Sequence, residues 1–335
     1  MSPREEIKEF VLKLQEKYGF LPKWDYGNQP NKLYYNTPFI DNNELEAVIE
    51  TFLFSKWLAN GSKVQEFEDK FSEIVNNKYT VAVNSGSNAN LLMIAALKEY
   101  FNWQDNDEII LSVVGFSTTY GAVIINRLTP IFIDIEFKTL NFDISKIEEK
   151  ITKKTKAILV SPVLGNCPDY DKLVELCNKY NLKLITDGCD SLLSEWDNKQ
   201  LNELSIATSC SFYVAHHIQT AHGGSISTNI KDIEIIARSF SRWGAQCYCR
   251  GAANLLPNGT CKKRFNNWLE LRPDLIVDDK YVYPRIGYNV QMIDMLAAMG
   301  IEQLKKLPKI HELRIKNKEI IENLFKKYIP ELKHP

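Results

Sequence analysis

Ser211-Phe-Tyr-Val-Ala-His-His-Ile-Gln-Thr-Ala-His-Gly-Gly224 is the stretch on which the reading of this chain turns. It follows a run of small and apolar residues and leads into Ser-Ile-Ser-Thr, a strand-like sequence. His216 and His217 are the only adjacent histidines in the chain. Imidazole titrates near neutral pH, so either can carry a proton to or from a substrate. A histidine in such a place can equally be a hydrogen-bonded structural group.

Upstream of this stretch, Tyr79–Val83, Glu108–Val113, Ile131–Asp134, Lys156–Ser161 and Leu182–Thr186 read as buried strands. Helical segments separate them: Ala89–Tyr100, a helix begun by Gly115-Phe-Ser-Thr-Thr-Tyr-Gly121, and Asp169–Tyr180. The alternation predicts an α/β fold with a mostly parallel sheet between helices. Ligands of such sheets sit beyond the carboxyl ends of the strands. Ser85, Phe116, Asp187 and Ser211 each follow or end a strand-like run, so the pattern brings them to one rim. In Asn84-Ser-Gly-Ser-Asn88 a strand, a small-residue turn and a helix start succeed one another. Free amides and the helix dipole there suit an anion; the alternative is a tight turn that needs Gly86 for its backbone. Asp187, leaving its strand, is open to a reading as a helix cap.

Toward the N-terminus, residues 1–30 hold one helix, with Ile7, Phe10, Val11 and Leu14 at helical spacing, and a Pro/Gly/Asn-rich arm runs on to Pro38. Glu44–Ser55, capped by Asp41, and Val64–Ile74 are helical, and Trp57-Leu-Ala-Asn-Gly61 breaks the pattern between them. Residues 241–285 show no clean periodicity and read as extended loop. Tyr288–Leu304 and Ile310–Lys327 read as two helices.

The 335 residues suffice for a large core and two domains. A formal net charge of −1, from 41 basic and 42 acidic side chains, leaves no electrostatic footprint for nucleic acid or a membrane surface. No apolar run approaches the roughly 18 residues of a membrane span, and the polar N-terminus does not read as a signal peptide. The default location is cytoplasmic. Seven cysteines, an odd count, argue against a disulfide framework. Cys167, Cys177 and Cys210 stand among apolar residues and read as small core side chains.

The segment beginning at Ser211 resembles the active-site segment of the DegT/DnrJ/EryC1/StrS sugar aminotransferases, vitamin-B6 enzymes of fold type I. Trp57-Leu-Ala-Asn-Gly61 and the Gly-Tyr288-Asn-Val-Gln-Met-Ile-Asp294 helix start fit the same family. There a lysine five residues after the serine carries the cofactor as a Schiff base; here that residue is His216. The exchange resembles the 3-dehydrase branch, which removes a sugar hydroxyl. The resemblance implies pyridoxamine 5′-phosphate (or pyridoxal 5′-phosphate) bound noncovalently, with His216 as base and His217 as runner-up. It implies cofactor contacts from Gly86, Ser87, Asn88 and Ser211 to the phosphate, Phe116 stacked on the ring and Asp187 at the pyridinium nitrogen. Asn289 would reach the phosphate of a neighbouring subunit, so a homodimer is implied. The substrate would be a nucleotide-linked 4-keto-6-deoxyhexose, CDP-linked above all, in O-antigen synthesis. The dehydrases read Gly-Glu-Gly-Gly after the His pair, where this chain has Ala221-His-Gly-Gly224; nothing in the sequence explains His222.

Cys189, Cys247, Cys249 and Cys261 resemble the [2Fe–2S] ligand set of the CDP-6-deoxyhexulose 3-dehydrase of that branch, with a longer last gap. Zinc and free thiols are the alternatives for these four. A cluster would call for a flavin or iron–sulfur reductase as electron donor, docking near residues 241–265 on Arg242, Arg250, Lys262, Lys263 and Arg264. The resemblance also divides the chain into an N-terminal helix and arm (1–35), a large cofactor-binding domain (36–260) and the start of a small C-terminal domain (261–335) that relatives continue. The rival readings are a cluster-free, glutamate-dependent dehydrase and a non-catalytic relative.

Overall fold

The computed structural model describes residues 2–19 and 39–329. The arm expected before Pro38 lies outside the described residues. In chain order the elements are α1 (Pro3–Tyr18), α2 (Asn42–Phe54), α3 (Ser62–Ile74), β1 (Tyr79–Val83), α4 (Gly86–Tyr100), β2 (Glu108–Ser112), α5 (Ser117–Ile125), β3 (Thr129–Ile133), β4 (Thr155–Val160), α6 (Tyr170–Tyr180), β5 (Lys183–Asp187), the short pair β6 (Glu195–Trp196) and β7 (Lys199–Gln200), α7 (Leu201–Leu204), β8 (Ala207–Ser211), β9 (Gly224–Thr228), α8 (Lys231–Ser241) and α9 (Asp294–Tyr328).

Seven strands form one sheet in the order β1-β9-β8-β5-β4-β2-β3. Neighbours from β8 to β3 pair in parallel, and β9 runs antiparallel between β8 and β1. The α/β expectation, with a mostly parallel sheet, therefore holds. Its cause is visible in the side-chain alternation. Ile109 and Leu111 of β2, with Ala157 and Leu159 of β4, join a core under α4 and α8. Ile110, Ile158 and Val160 face the other way, onto α6. A strand with period-two packing on both faces has no side left for water. A third core joins α3 and α9 to the sheet through Phe67, Phe71, Phe212, Met292 and Ile301. Cys177 and Cys210 are buried in these cores and Cys167 packs against one, as expected of small apolar residues.

Two expected helices at the C-terminal end are one. Tyr288–Gln291 is extended, bridging Arg242 and Val83 through Asn289 and Gln291, and α9 then runs unbroken for 35 residues with Pro308 inside it. An interior proline costs about 3 kcal/mol. Leu304, Leu307 and Ile310, buried on both sides of Pro308, hold the helix through that point. The loops of 241–285 carry no strand, only short turns of 3-10 helix, as the absence of periodicity predicts.

One buried feature escaped the sequence. Arg238 of α8, 1% exposed, donates to Glu234 at 2.6 Å, to both oxygens of Glu68 at 3.1 and 3.0 Å, and to the Thr80 carbonyl. Glu68 also accepts from Arg250 and from the Ala82 amide. This network locks α3, β1 and α8 together beneath the rim. Among the described residues no helix is long and apolar enough to cross a membrane.

Candidate active site

Four strand ends converge as the alternation predicts. β1 delivers Ser85 to the start of α4, where its hydroxyl accepts from the Asn88 amide at 3.1 Å. The Ser87 hydroxyl donates to Thr118 at 3.0 Å, and the Asn88 side chain to Asn84 at 2.7 Å. The first amides of a helix have no intrahelical partner, so the turn presents donors to an anion. Gly86 is there for close approach. A Cβ on it would stand 2.5 Å from Ser211 Cβ and 2.9 Å from Ser211 Oγ. The Ser211 hydroxyl at the end of β8 therefore lies against the same helix start. A Cβ on Gly224, opposite Ser211 in the β8–β9 ladder, would meet the Ser85 backbone at 2.4 Å. Both glycines flank a cradle of hydroxyls and amides that fits a phosphate.

Asp187, the last residue of β5, is 4% exposed. Its Oδ2 accepts from Thr119 at 2.6 Å and from Asn90 at 2.8 Å; its Oδ1 accepts from Ser209 and from the Cys189 amide, each at 3.3 Å. Ser209 in turn donates to Asn90 at 2.6 Å. Among the described residues no cation pairs with this carboxylate. A buried carboxylate held by neutral donors alone is a site prepared for a cation, such as a protonated pyridine nitrogen. Thr119, Asn90 and Ser209 were not singled out from the sequence; Thr119 follows Phe116 by three residues, one helical turn into α5, and that spacing was the available signal. Phe116 caps α5, four residues after the end of β2, and is 70% exposed. A ring left in water there is placed to stack on a flat ligand.

Residues 212–223 close into a loop whose neck is the Phe212 amide on Gly223 O and the Thr220 amide on Phe212 O. Phe212 is sunk edge-on between Phe67 and Phe71, with centroids 5.2 Å apart in both pairs. His216 emerges on this loop. Its Nδ1 stands 3.1 Å from Asp190 Oδ1, and that pairing holds the Asp190 carboxyl below its usual range. Arg314 of α9 donates to the His216 carbonyl at 3.2 Å. His217 is different: burial, then the charge of Arg314, pushes its imidazole down to about 3, and its ring lies 6.1 Å from that of His311. It is held neutral and turned to other company. His222 packs against Tyr213 at 5.7 Å, and no further account of it follows from the structure.

Asn289 is exposed and does not contact α4 of its own chain among the described hydrogen bonds; its backbone bridges Arg242. Asp294, from the same motif, accepts from the Gly61, Lys63 and Val64 amides at 2.8, 3.3 and 3.0 Å, and so caps α3. The two family motifs at Trp57–Gly61 and Tyr288–Asp294 thus meet in one carboxylate.

The four cysteines are not assembled. Cys249 and Cys261 bring their sulfurs to 4.0 Å, and Cys247 hydrogen-bonds to Cys249. Cys189 sits apart, its sulfur against Gly86, 2.9 Å from where a Cβ would be. Burial, reinforced by Asp187, raises its thiol well above the usual range. Beside the other three lies Asp279, not Cys189. Among the described residues no group of three or more His, Cys, Asp or Glu is arranged to hold a metal ion. The expected basic docking face is also largely consumed. Arg242 is buried on the Cys249 carbonyl, Arg250 pairs with Glu68 and Asp69, and Arg264 pairs with Asp278.

The model of the DegT/DnrJ/EryC1/StrS aminotransferase family matches residues 38–334. The chain belongs to that family. Within the DegT/DnrJ/EryC1/StrS proteins it is 36% identical over 282 residues to the lipopolysaccharide biosynthesis protein RfbH of Salmonella typhimurium, covering 83% of this chain and 63% of RfbH. It spans less than two thirds of that relative's length. It is 35% identical to the GDP-4-keto-6-deoxy-D-mannose 3-dehydratase of Yersinia pseudotuberculosis, covering 85% of this chain and 70% of that one. The solved structure of the E. coli enzyme of that name, with bound hydrated PLP, superposes with a TM-score of 0.77 at 32% identity, over 89% of this chain and 73% of the other.

Proposed function

We propose that the protein is a 3-dehydratase of nucleotide-linked 4-keto-6-deoxyhexoses that uses pyridoxamine 5′-phosphate. The observation that carries this reading is His216, an imidazole on Asp190 in the place where the family's aminotransferases carry lysine. The 3-dehydratases among the similar proteins and the PLP in a superposed structure support it. A role in surface-polysaccharide synthesis is supported by the name of RfbH.

The residues present fit such a cofactor. Ser85, Gly86, Ser87, Asn88 and Ser211 would hold its phosphate, Phe116 would cover its ring, and Asp187 would keep its pyridine nitrogen protonated. When bound, the cofactor supplies an amine that condenses with the sugar's keto group and a ring that accepts electrons. The chain supplies the proton transfers. His216 would take the proton from the C4′ carbon through the nitrogen that does not face Asp190, and would hand it to the departing C3 hydroxyl, which leaves as water. In this reading domain 36–260 holds the machinery and 261–335 belongs to a smaller second domain. A homodimer in which Asn289 reaches the second copy's phosphate accounts for that residue's exposure.

Incubation with pyridoxamine phosphate and GDP-, dTDP- or CDP-linked 4-keto-6-deoxyhexose, with glutamate to regenerate the cofactor amine, tests the reading. Loss of the C3 hydroxyl, seen by NMR and by mass, is expected; transfer of an amine to C4 with the hydroxyl retained would overturn it.

A second reading adds a [2Fe–2S] cluster and a flavin or iron–sulfur reductase. It is favoured only by Cys247, Cys249 and Cys261 sharing one loop. It requires Cys189 to leave the Gly86–Ser211 corner. Iron and sulfide analysis after anaerobic reconstitution decides: about two irons per chain support a cluster, and none or zinc leaves the cluster-free dehydratase.

A further inference from the structure

We propose that Asp190 is the positioning residue that fixes the proton of His216 on Nδ1 and thereby leaves Nε2 as the basic nitrogen. This rests on the reading of His216 as the base. A carboxylate only accepts, so the ring nitrogen 3.1 Å from Asp190 Oδ1 must carry the hydrogen. In a neutral imidazole the other nitrogen then has the free lone pair. The pair is built from two neighbouring strands. Asp190 follows Asp187 at the end of β5, and His216 follows Ser211 at the end of β8, which pair in parallel with Asp187 opposite Ser209. The carboxylate that would face the cofactor and the carboxylate that orients the base therefore come from one four-residue turn.

The backbone of His216 is pinned as well. Its amide donates to Tyr213 O at 3.0 Å, and its carbonyl accepts from Arg314 at 3.2 Å. With both ends of the residue held, the ring turns only about its side-chain bonds, and Asp190 stops that rotation. The titratable and charged groups around the ring are Asp190, His217 and Arg314. Neither of the latter two takes the Nδ1 hydrogen: Arg314 only donates, and the Nδ1 contact is made by Asp190. The His216 side chain is 17% exposed and that of Asp190 55%, so water reaches the carboxylate more readily than the base.

The experiment uses the full chain labelled with 15N-histidine; five histidines make the spectrum tractable, and His216→Gln identifies the signal. Long-range 1H–15N correlation reads which nitrogen is protonated. Nδ1–H is expected at neutral pH in the wild type, and Asp190→Ala and Asp190→Asn should both lose it. With pyridoxamine phosphate and the sugar nucleotide, both variants should lose turnover on the order of 10²-fold with KM little changed, as befits a misoriented general base. An Nε2–H form in the wild type, or an unaltered Nδ1–H form in Asp190→Ala, overturns the proposal. Nδ1–H lost in the variants with no dehydration by the wild type would support the positioning and overturn the dehydratase reading instead.

Discussion

The Thr119 hydroxyl stands 2.6 Å from Asp187 Oδ2, across the gap between the ends of β2 and β5. That hydrogen bond joins the helix carrying Phe116 to the carboxylate expected to face the cofactor nitrogen, so ring stacking and ring charge are set by one side chain pair. Thr119→Val should leave the fold intact and weaken cofactor binding roughly tenfold, the worth of one hydrogen bond to a charged group, about 1.5 kcal/mol. Asp187→Asn should do more, abolishing most turnover while cofactor can still be loaded at high concentration. Cofactor titration by absorbance measures the first, and steady-state turnover the second. Unchanged turnover in loaded Asp187→Asn would reduce Asp187 to a cap.

His216 at the lysine position carries a covalent prediction. Borohydride treatment of the cofactor-loaded wild type should leave the polypeptide mass unchanged, since imidazole forms no Schiff base. His216→Lys should gain the mass of one reduced pyridoxyl group and shift product toward amine transfer. Intact-mass spectrometry reads both.

His217 makes a pH prediction. Its folded-state value of about 3 lies below the ordinary range of a free imidazole, about 6.5. Between these limits the unfolded chain binds the proton and the folded chain does not, so stability rises with pH across that window and is lost as pH falls through it. Chemical denaturation at pH 7 and pH 5 should show a smaller acid loss for His217→Gln than for the wild type.

The Arg238–Glu68 contact predicts a stability effect away from the site. Glu68→Ala takes one of its two carboxylate partners from the buried Arg238, leaving it Glu234 and the Thr80 carbonyl, and leaves Arg250 on Asp69 alone. Breaking one side of a buried pair costs roughly 3–5 kcal/mol, so Tm should fall by roughly 4–7 °C. Calorimetry checks it, and a shift under two degrees would mean the network is solvated.

The sheet, the helices and the rim were legible because period-two and helical patterns report burial, and Ser85, Phe116, Asp187 and Ser211 follow strands by necessity of the α/β layout. What stayed hidden is pairing across the chain. Nothing local marks Asn90, Thr119 and Ser209 as the holders of Asp187, or Asp190 as the partner of His216. Arg242, Arg250 and Arg264 read as a basic face because sequence counts charges and cannot see Glu68 and Asp69 opposite Arg250, Asp278 opposite Arg264, or the Cys249 carbonyl that holds Arg242. Two helices were expected on either side of residues 305–309, and only the buried leucines beside Pro308 show why one helix continues. Cys189 matched a spacing, yet its place is fixed by the turn after β5, where Gly86 leaves it room.

The antiparallel strand β9 has a consequence for how the molecule is made. β1 enters the sheet only through β9, with Tyr79 opposite Thr228, and Asn84 is held by Val290. A ribosome adding about 5–20 residues per second needs on the order of ten seconds between the two strands. For that interval the nascent chain carries the phosphate cradle's first half without a sheet to stand on. The proposed phosphate cradle can therefore be completed only after β8 and β9 have been made.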